Sequence, residues 1–452
     1  MALIVQKYGG TSVGSPERIK AVADLIIKRK RQGHRLLVVV SAMGDTTDDL
    51  IKLAKSVSPS PEPREMDMLL ATGEQQSIAL LAMAINAKGE HAMSMTGPQV
   101  GIITDSRHGK ARIIGIKPAR LRQALGKVGI VIVAGFQGES KGEEITTLGR
   151  GGSDLTAVAL AASLKADACE FYKDVHGVLT TDPRIVPEAR TRPHVTSDEM
   201  LEMASLGSQV LNARSVEYAK RYRVPLIVRS SFEDGPQTLI TEEEKGMEKV
   251  LVRGITYSKS DAKVTVLGVQ DQPGVASRLF RALASADLNV DMIVQDVSES
   301  GVTNISFTLA RGDLAKTLES VKAAASQVGA EDVQADENVG KVSIVGVGMR
   351  THSGVAAAMF EALAQAGINI EMISTSEIKI SCVIARDKVE EAVRVLHRRF
   401  RLEQASVELG KPFILEAEEP GRVKGPKPAK RVKKVIKRAK KPAKVKKAKK
   451  RR

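Results

Sequence analysis

The chain has 452 residues, enough for about three structural units with cores of their own. A content of 42% hydrophobic and 27% charged residues excludes a fibrous, collagen-like or wholly disordered polymer. The net charge of +16 is concentrated: residues 420–452 carry 18 Lys and Arg with no acidic residue, which leaves 51 basic against 53 acidic residues elsewhere. Basicity thus describes a tail, and charge gives no argument that the body binds nucleic acid. Cys169 and Cys382 lie far apart in apolar, strand-like stretches and supply neither a disulfide framework nor a zinc site, which fits a reducing, cytoplasmic setting. Residues 2–6 are too short for a signal-peptide core. The apolar stretch 69–87 is broken by Glu74, Gln75 and Gln76, so no exported or membrane-spanning segment is expected.

From Leu3 to about Ile240, short β-branched runs alternate with helical patterns. The first strand, LIVQ, precedes a helix opened by Ser15 and Pro16 and closed near Gly33, where Ser supplies an N-cap and Pro a first-turn residue. Further strands are read at LLVVVS, GIVIVAG (129–135), ACEFYKD (168–174) and PLIVRS (225–230), with helical stretches between, which predicts an α/β sheet of largely parallel order. The Pro- and Ser-rich piece 56–64 reads as an exposed loop between two helices.

After the acidic stretch 241–248 the chain repeats itself at a spacing of 80 residues: GVASRLFRALASADLNVDMI (274–293) matches GVAAAMFEALAQAGINIEMI (354–373) at 11 of 20 positions. Preceding strands, VTVLGV at 264 and VSIVGV at 342, repeat as well. Two copies make a paired module rather than a solenoid. Strand, Gly-containing loop, helix and then NVDMI or NINIEMI resembles the ACT domain, a small ferredoxin-like module whose loop and following strand bind an amino acid between paired copies. The expected division is a catalytic domain 1–245, ACT modules at 246–335 and 336–412 with a C-terminal strand available to complete the first, and a disordered Lys-rich tail 413–452. Met247 would serve as an internal start for a separate regulatory chain.

Two glycine-rich turns carry the chemistry. KYGGTSVG (7–14) follows the first strand, and its backbone N–H groups suit a phosphate, although a turn that needs glycine for its φ angles reads the same. Lys7, Thr11 and Ser12 in that turn favour the phosphate. The Lys precedes the glycines, which excludes a Walker A loop. GRGGSDLTA (149–157) brings a guanidinium, a hydroxyl and a carboxylate to the start of a helix, where Ser153 or Asp154 could equally serve as a cap. Between them lie VVVSAMG with Ser41, then Thr46 and Thr47, and TGE ending at Glu74, which periodicity alone would leave as a solvated helix residue. Ligands of open α/β sheets bind at the carboxyl ends of strands, where Ser41 falls.

KYGGTSVG, VVSAMG, TGE, GFQG, GRGGSD and TTDPR in this order, followed by tandem ACT modules, closely resemble the aspartokinases of the amino-acid kinase family, over residues 2 to about 410. The resemblance implies transfer of the γ-phosphoryl group of ATP, with Mg²⁺, to the β-carboxylate of L-aspartate. That is the first step towards lysine, threonine and methionine. It makes Lys7 and Asp154 catalytic. Ser41, Thr47, Glu74, Arg150, Gly151 and Ser153 would hold aspartate. Gly9, Gly10, Ser12 and Lys7 would meet the nucleotide phosphates, with Lys173, Asp174, Thr180, Asp182 and Arg184 around its base and ribose. In two places the chain departs from the family pattern. Lys173 and His176 stand in the usual YTDVDGV, and Gln209 stands where GAKVLH has its lysine, so Lys173 is the candidate replacement. Inhibitory lysine or threonine would bind at Asp271, Gly274, Val275, Ala276, Asn289, Val290, Asp291 and Gln295 of the first module. In the second the counterparts would be Ser353, Gly354, Asn369, Ile370, Thr375 and Glu377. Paired modules imply at least a homodimer. Competing readings are a related kinase acting on another acceptor, and an amino-acid-sensing regulator that binds nucleic acid through its tail. The tail lacks aromatic residues and would offer only nonspecific polyanion contact.

Overall fold

The computed structural model describes residues 2–242, 251–286, 288–297, 301–347, 349 and 353–404. Met247, the expected C-terminal strand and the basic tail lie outside them. The first strand, Leu3–Tyr8, is buried along its whole length because both faces of its sheet are covered. Leu3 and Val5 pack with Val158 and Ala161 of the helix Gly152–Leu164, whereas Ile4 and Tyr8 pack with Ile26 of Pro16–Arg31 and Leu81 of Pro63–Asn86. This alternation sends Lys7 towards the helix that carries Asp154.

The sheet has eight strands in the order His194–Thr196, Thr238–Thr241, Leu226–Ser230, Ala168–Lys173, Leu3–Tyr8, Arg35–Val40, Ile130–Ala134, Ala92–Met95. Every neighbouring pair is parallel except Leu226–Ser230 with Thr238–Thr241. All five strands read from the sequence are present. Ser15 accepts a hydrogen bond from the Arg18 N–H as N-cap of Pro16–Arg31, and residues 58–62 link the helices Thr46–Val57 and Pro63–Asn86. The latter helix is the one among the described residues long and apolar enough to cross a membrane. It packs into the core through Ile78, Leu81 and Ile85 and buries Asp67 and Glu74.

The repeat forms two four-stranded antiparallel sheets, each with two helices. The first contains Ile293–Val297, Val302–Ala310, Asp261–Gln270 and Asp332–Asp336 in spatial order. The second contains Leu251–Ser258, Val339–Val347, Lys379–Ala385 and Met372–Thr375. The division expected at 335/336 therefore does not separate the sheets. Leu251–Ser258, assigned by position to the first module, pairs antiparallel with Val339–Val347 and seats Val252 and Ile255 in the second module's core. The first sheet draws all four strands from 261–336. The modules meet through Met292, Val339, Met372 and Val383. Lys341 pairs with Asp291, and Lys263 with Glu371 at 2.6 Å, an exchange that follows from the repeat.

Candidate functional site

Lys7, the penultimate residue of the first strand, is only 5% exposed, and its Nζ lies 2.7 Å from Asp154 Oδ1. The other oxygen, Oδ2, is 3.2 Å from Lys173 Nζ at the end of Ala168–Lys173. Two ammonium groups thus converge on one buried carboxylate. Burial alone would raise the Asp154 pKa, but Lys173 and Lys7 outweigh it and hold it at about 2. Burial lowers the pKa of Lys7, against the pull of Asp154. A carboxylate ionised at every working pH serves as an anchor for lysines, and not as a base.

Asp154 stands in the first turn of Gly152–Leu164, whose N-cap is Gly151 at φ 75° without a side-chain cap. The capping alternative for Ser153 and Asp154 fails: both lie inside the helix and are buried, while the turn itself needs glycine. A Cβ on Gly151 would come within 2.2 Å of Asn212 Nδ2, and one on Gly135 within 2.6 Å of Ser153 Cβ. Arg150 is exposed at the tip, and its carbonyl accepts a hydrogen bond from Asn212 Nδ2 at 3.3 Å.

The first glycine turn opens a short 3-10 segment, Gly10–Val13, before the α-helix. It folds against the turn that ends Arg35–Val40: Gly44 N–H donates to Gly10 O at 3.1 Å, and a Cβ on Gly10 would meet Ala42 O at 2.8 Å. Gly9 lies beside the head of Lys7. Ser12 is buried and donates to Ser231 Oγ at 3.0 Å, so its hydroxyl is engaged within the protein. Ser41 and Thr47 are half-buried on this rim.

Glu74 is not a solvated helix residue; it is 3% exposed. Its Oε1 accepts from Ala42 N–H at 3.2 Å, and Oε2 has no partner among the described residues. Gly73 allows the approach, since a Cβ there would stand 2.9 Å from Ala42 Cβ. Burial raises the Glu74 pKa to about 7, offset in part by Ala42 N–H and Lys7. An unpaired, desolvated carboxylate near a lysine–carboxylate cluster is the arrangement expected of a site that receives a cation.

Beyond Lys173 opens a cavity of about 730 Å³, lined among others by Asp174, Asp182, Arg184 and Gln209. This size suits a ligand as large as a nucleotide. Arg184 holds Asp182 through Nε and Nη2, at 3.0 and 2.7 Å. Thr180 is withdrawn behind the wall, with its hydroxyl 3.0 Å from both His397 Nε2 and Arg190 N. His176, the histidine nearest by sequence, pairs with Glu233 at 2.7 Å. The opposite wall includes Ile255, Tyr257 and Lys259 of the strand Leu251–Ser258 and the turn after it. Sequence reasoning missed these residues, because nothing local distinguishes that strand from any other of the regulatory part. Asp67 was also missed: it is fully buried and binds His108 Nδ1 at 2.8 Å, Gly109 N and Thr147 Oγ1.

The expected effector residues lie at the start of the module helices and along the strands that follow. Gly274, at φ 93°, is the N-cap of Val275–Ser285, Val275 is buried, and Ala276 and Val290 are half-buried. Asp271 N–H donates to Gly301 O at 3.0 Å. Asn289, Gln295, Gly354, Asn369 and Thr375 are exposed, Ile370 is half-buried, and Ser353 begins Ser353–Gln365. Glu377 O accepts from Met349 N–H at 3.0 Å. Asp291 is already paired with Lys341, which lowers its pKa against the effect of burial.

Residues 2–230 match the amino acid kinase family, and residues 264–324 and 342–400 match the ACT domain. An aspartokinase of Mycolicibacterium smegmatis is 54% identical over 407 residues, covering 89% of this chain and 97% of that protein. An aspartokinase of Pseudomonas aeruginosa is 53% identical over 405 residues, covering 89% of this chain and 98% of that protein. Among solved structures, Escherichia coli aspartokinase III in complex with aspartate and ADP has a TM-score of 0.75 at 24% identity. It is matched over 88% of this chain and 99% of that one, a likeness of fold.

Proposed function

The chain belongs to the amino acid kinase family, among the aspartokinases, and from that premise we infer how its residues divide the work. The reaction moves the γ-phosphoryl group of ATP to the β-carboxylate of L-aspartate, giving 4-phospho-L-aspartate and ADP. The carboxylate is already ionised at neutral pH, so the barrier is the approach of an anion to a polyanion. One observation carries the assignment: two lysines converge on buried Asp154 while Glu74, buried nearby, keeps one carboxylate oxygen without a partner among the described residues.

Lys7 would meet the charge on the transferred phosphoryl group, and Asp154 would hold Lys7 and Lys173 in position. Backbone N–H groups of Gly9 and Gly10 would support the phosphates, and Ser12 would brace that turn through Ser231. Glu74 would pair with the α-ammonium of aspartate. Arg150 would take its α-carboxylate, with Ser41, Thr47, Gly151 and Ser153 shaping the pocket. The cavity bounded by Lys173, Asp174, Asp182 and Arg184 would receive adenine and ribose. Thr180 supports its wall from behind. Mg²⁺ bound to ATP oxygens would offset phosphate charge, and the exposed carboxylate of Asp174 at the cavity suits such a cation.

The ACT modules support feedback inhibition by lysine or threonine at the loop and strand positions named above. Ile293, Val294 and Ile373 are exposed on Ile293–Val297 and Met372–Thr375, edge strands of the two sheets, which supports assembly into at least a dimer. Two buried free thiols suit a cytoplasmic setting. The tail would add salt-sensitive contact with polyanions. ADP release measured with aspartate, glutamate and no acceptor, each with and without lysine and threonine, tests the reading. Aspartate-dependent release is expected, and turnover with glutamate alone would overturn it.

A further inference from the structure

We propose that Tyr257 and His397, both in the second ACT module, are positioning residues that hold the wall of the nucleotide cavity in its binding shape. The inference rests on the reading of that cavity as the adenine and ribose side.

Three bonds fasten the segment 180–182 to the module. Ile255 N–H donates to Thr180 O at 2.7 Å, Tyr257 Oη–H donates to Asp182 Oδ2 at 2.9 Å, and Thr180 Oγ1 lies 3.0 Å from His397 Nε2. Two of these groups come from the strand Leu251–Ser258 and the third from the helix Val389–Arg399. Tyr257 and Arg184 together orient Asp182, which faces the cavity. A second wall of the cavity, which the helix Ser197–Ser205 lines through Met203 and Ala204, is fastened to the same module. Arg253 Nε is 3.1 Å from Glu199 Oε1, and Lys379 Nζ is 2.9 Å from Glu202 Oε2, both glutamates being on the helix Ser197–Ser205. Past that helix, Gly207 at φ 112° passes so close to the strand that a Cβ there would stand 2.1 Å from Tyr257 O. One sheet therefore sets the distance between the two walls. A displacement of that sheet changes nucleotide affinity before it reaches Lys7 or Glu74.

The bond to His397 is specific. The imidazole is 1% exposed among the packed side chains of the module, and a buried ring nitrogen needs a partner. Thr180 Oγ1 already accepts from Arg190 N–H at 3.0 Å, which leaves its own proton to donate to a neutral Nε2. Burial lowers the His397 pKa and so favours the neutral ring.

The test compares Tyr257→Phe, His397→Leu and His397→Gln in the full chain, with substrate constants read separately and 8-azido-ATP photolabelling followed by peptide mapping. Tyr257→Phe and His397→Leu are expected to raise the KM for ATP about five-fold each, the effect of one lost hydrogen bond. The KM for aspartate and kcat should stay within about two-fold of the parent. His397→Gln, whose amide reaches the place of Nε2, is expected to restore ATP binding, and label is expected in peptides bearing 173–184 or 255–260. Label in those peptides with an unchanged KM for ATP in both Tyr257→Phe and His397→Leu would overturn the positioning role and leave the nucleotide assignment standing. Label elsewhere would overturn both. A parallel rise in both KM values with a fall in kcat would show a general structural role and overturn the proposal.

Discussion

Replacing Glu74 by Gln removes a charge and keeps the shape. In the unfolded chain this carboxyl titrates near 4.5, and in the folded protein near 7. The difference corresponds to about 3 kcal/mol. Below pH 4.5 the proton is bound in both states and burial costs nothing. Between pH 4.5 and 7 the folded state binds more proton than the unfolded, so stability falls as pH rises, and above 7 the full cost is present. The Gln variant should therefore be the more stable protein at pH 8.5, by at most about 3 kcal/mol, with the difference vanishing by pH 4.5. Binding runs the other way, because only the ionised carboxylate pairs with the substrate ammonium. From pH 8 to pH 6 the ionised fraction falls about ten-fold, and the parent's KM for aspartate should rise by that factor. The Gln variant should show a KM that does not follow pH and is raised on the order of 10²-fold, the loss of one charge-assisted bond. ADP-release kinetics against aspartate at pH 6, 7 and 8, with thermal unfolding at pH 5 and 8.5, decide the matter. An unchanged aspartate KM in the variant, or a flat pH profile in the parent, would refute the reasoning.

Lys7→Ala should lower kcat by about 10²-fold or more with the fold intact, and turnover within a few-fold of the parent would remove Lys7 from the mechanism. Asp154→Asn leaves two ammonium groups without their shared carboxylate, so stability should fall by about 3 kcal/mol in urea unfolding. The same change should lower the Lys7 pKa further and move the loss of kcat at high pH towards neutrality, which a pH–rate profile would show. Asp291→Asn weakens the pair with Lys341 between the modules and should relieve inhibition by lysine or threonine without loss of kcat, read as residual activity at saturating effector. Truncation before residue 420 should leave catalysis and inhibition unchanged and abolish a steeply salt-dependent affinity for DNA, measured at two salt concentrations.

Local chemistry made much of this protein legible in one dimension. Runs such as LLVVV are strands because β-branched residues suit a buried parallel sheet, and Ser15 with Pro16 starts a helix whatever surrounds it. The glycines at 149 and 151 mark left-handed turns that other residues adopt only under strain, so the motif around Asp154 was visible before its partners were. Periodicity, however, says which residues share a face and not what covers it. Glu74 reads as solvated on its helix and becomes a buried carboxylate only because Gly73 lets that helix close on Ala42. Ser153 and Thr180 carry the right chemistry for a cap and for a nucleotide contact. Packing places the first inside a helix and turns the second towards His397, 217 residues away. The strand Leu251–Ser258 has no local signal for choosing its sheet, since any antiparallel edge satisfies its backbone. Burial of Val252 and Ile255 in the second module decides it, and that choice brings Tyr257 to the nucleotide cavity.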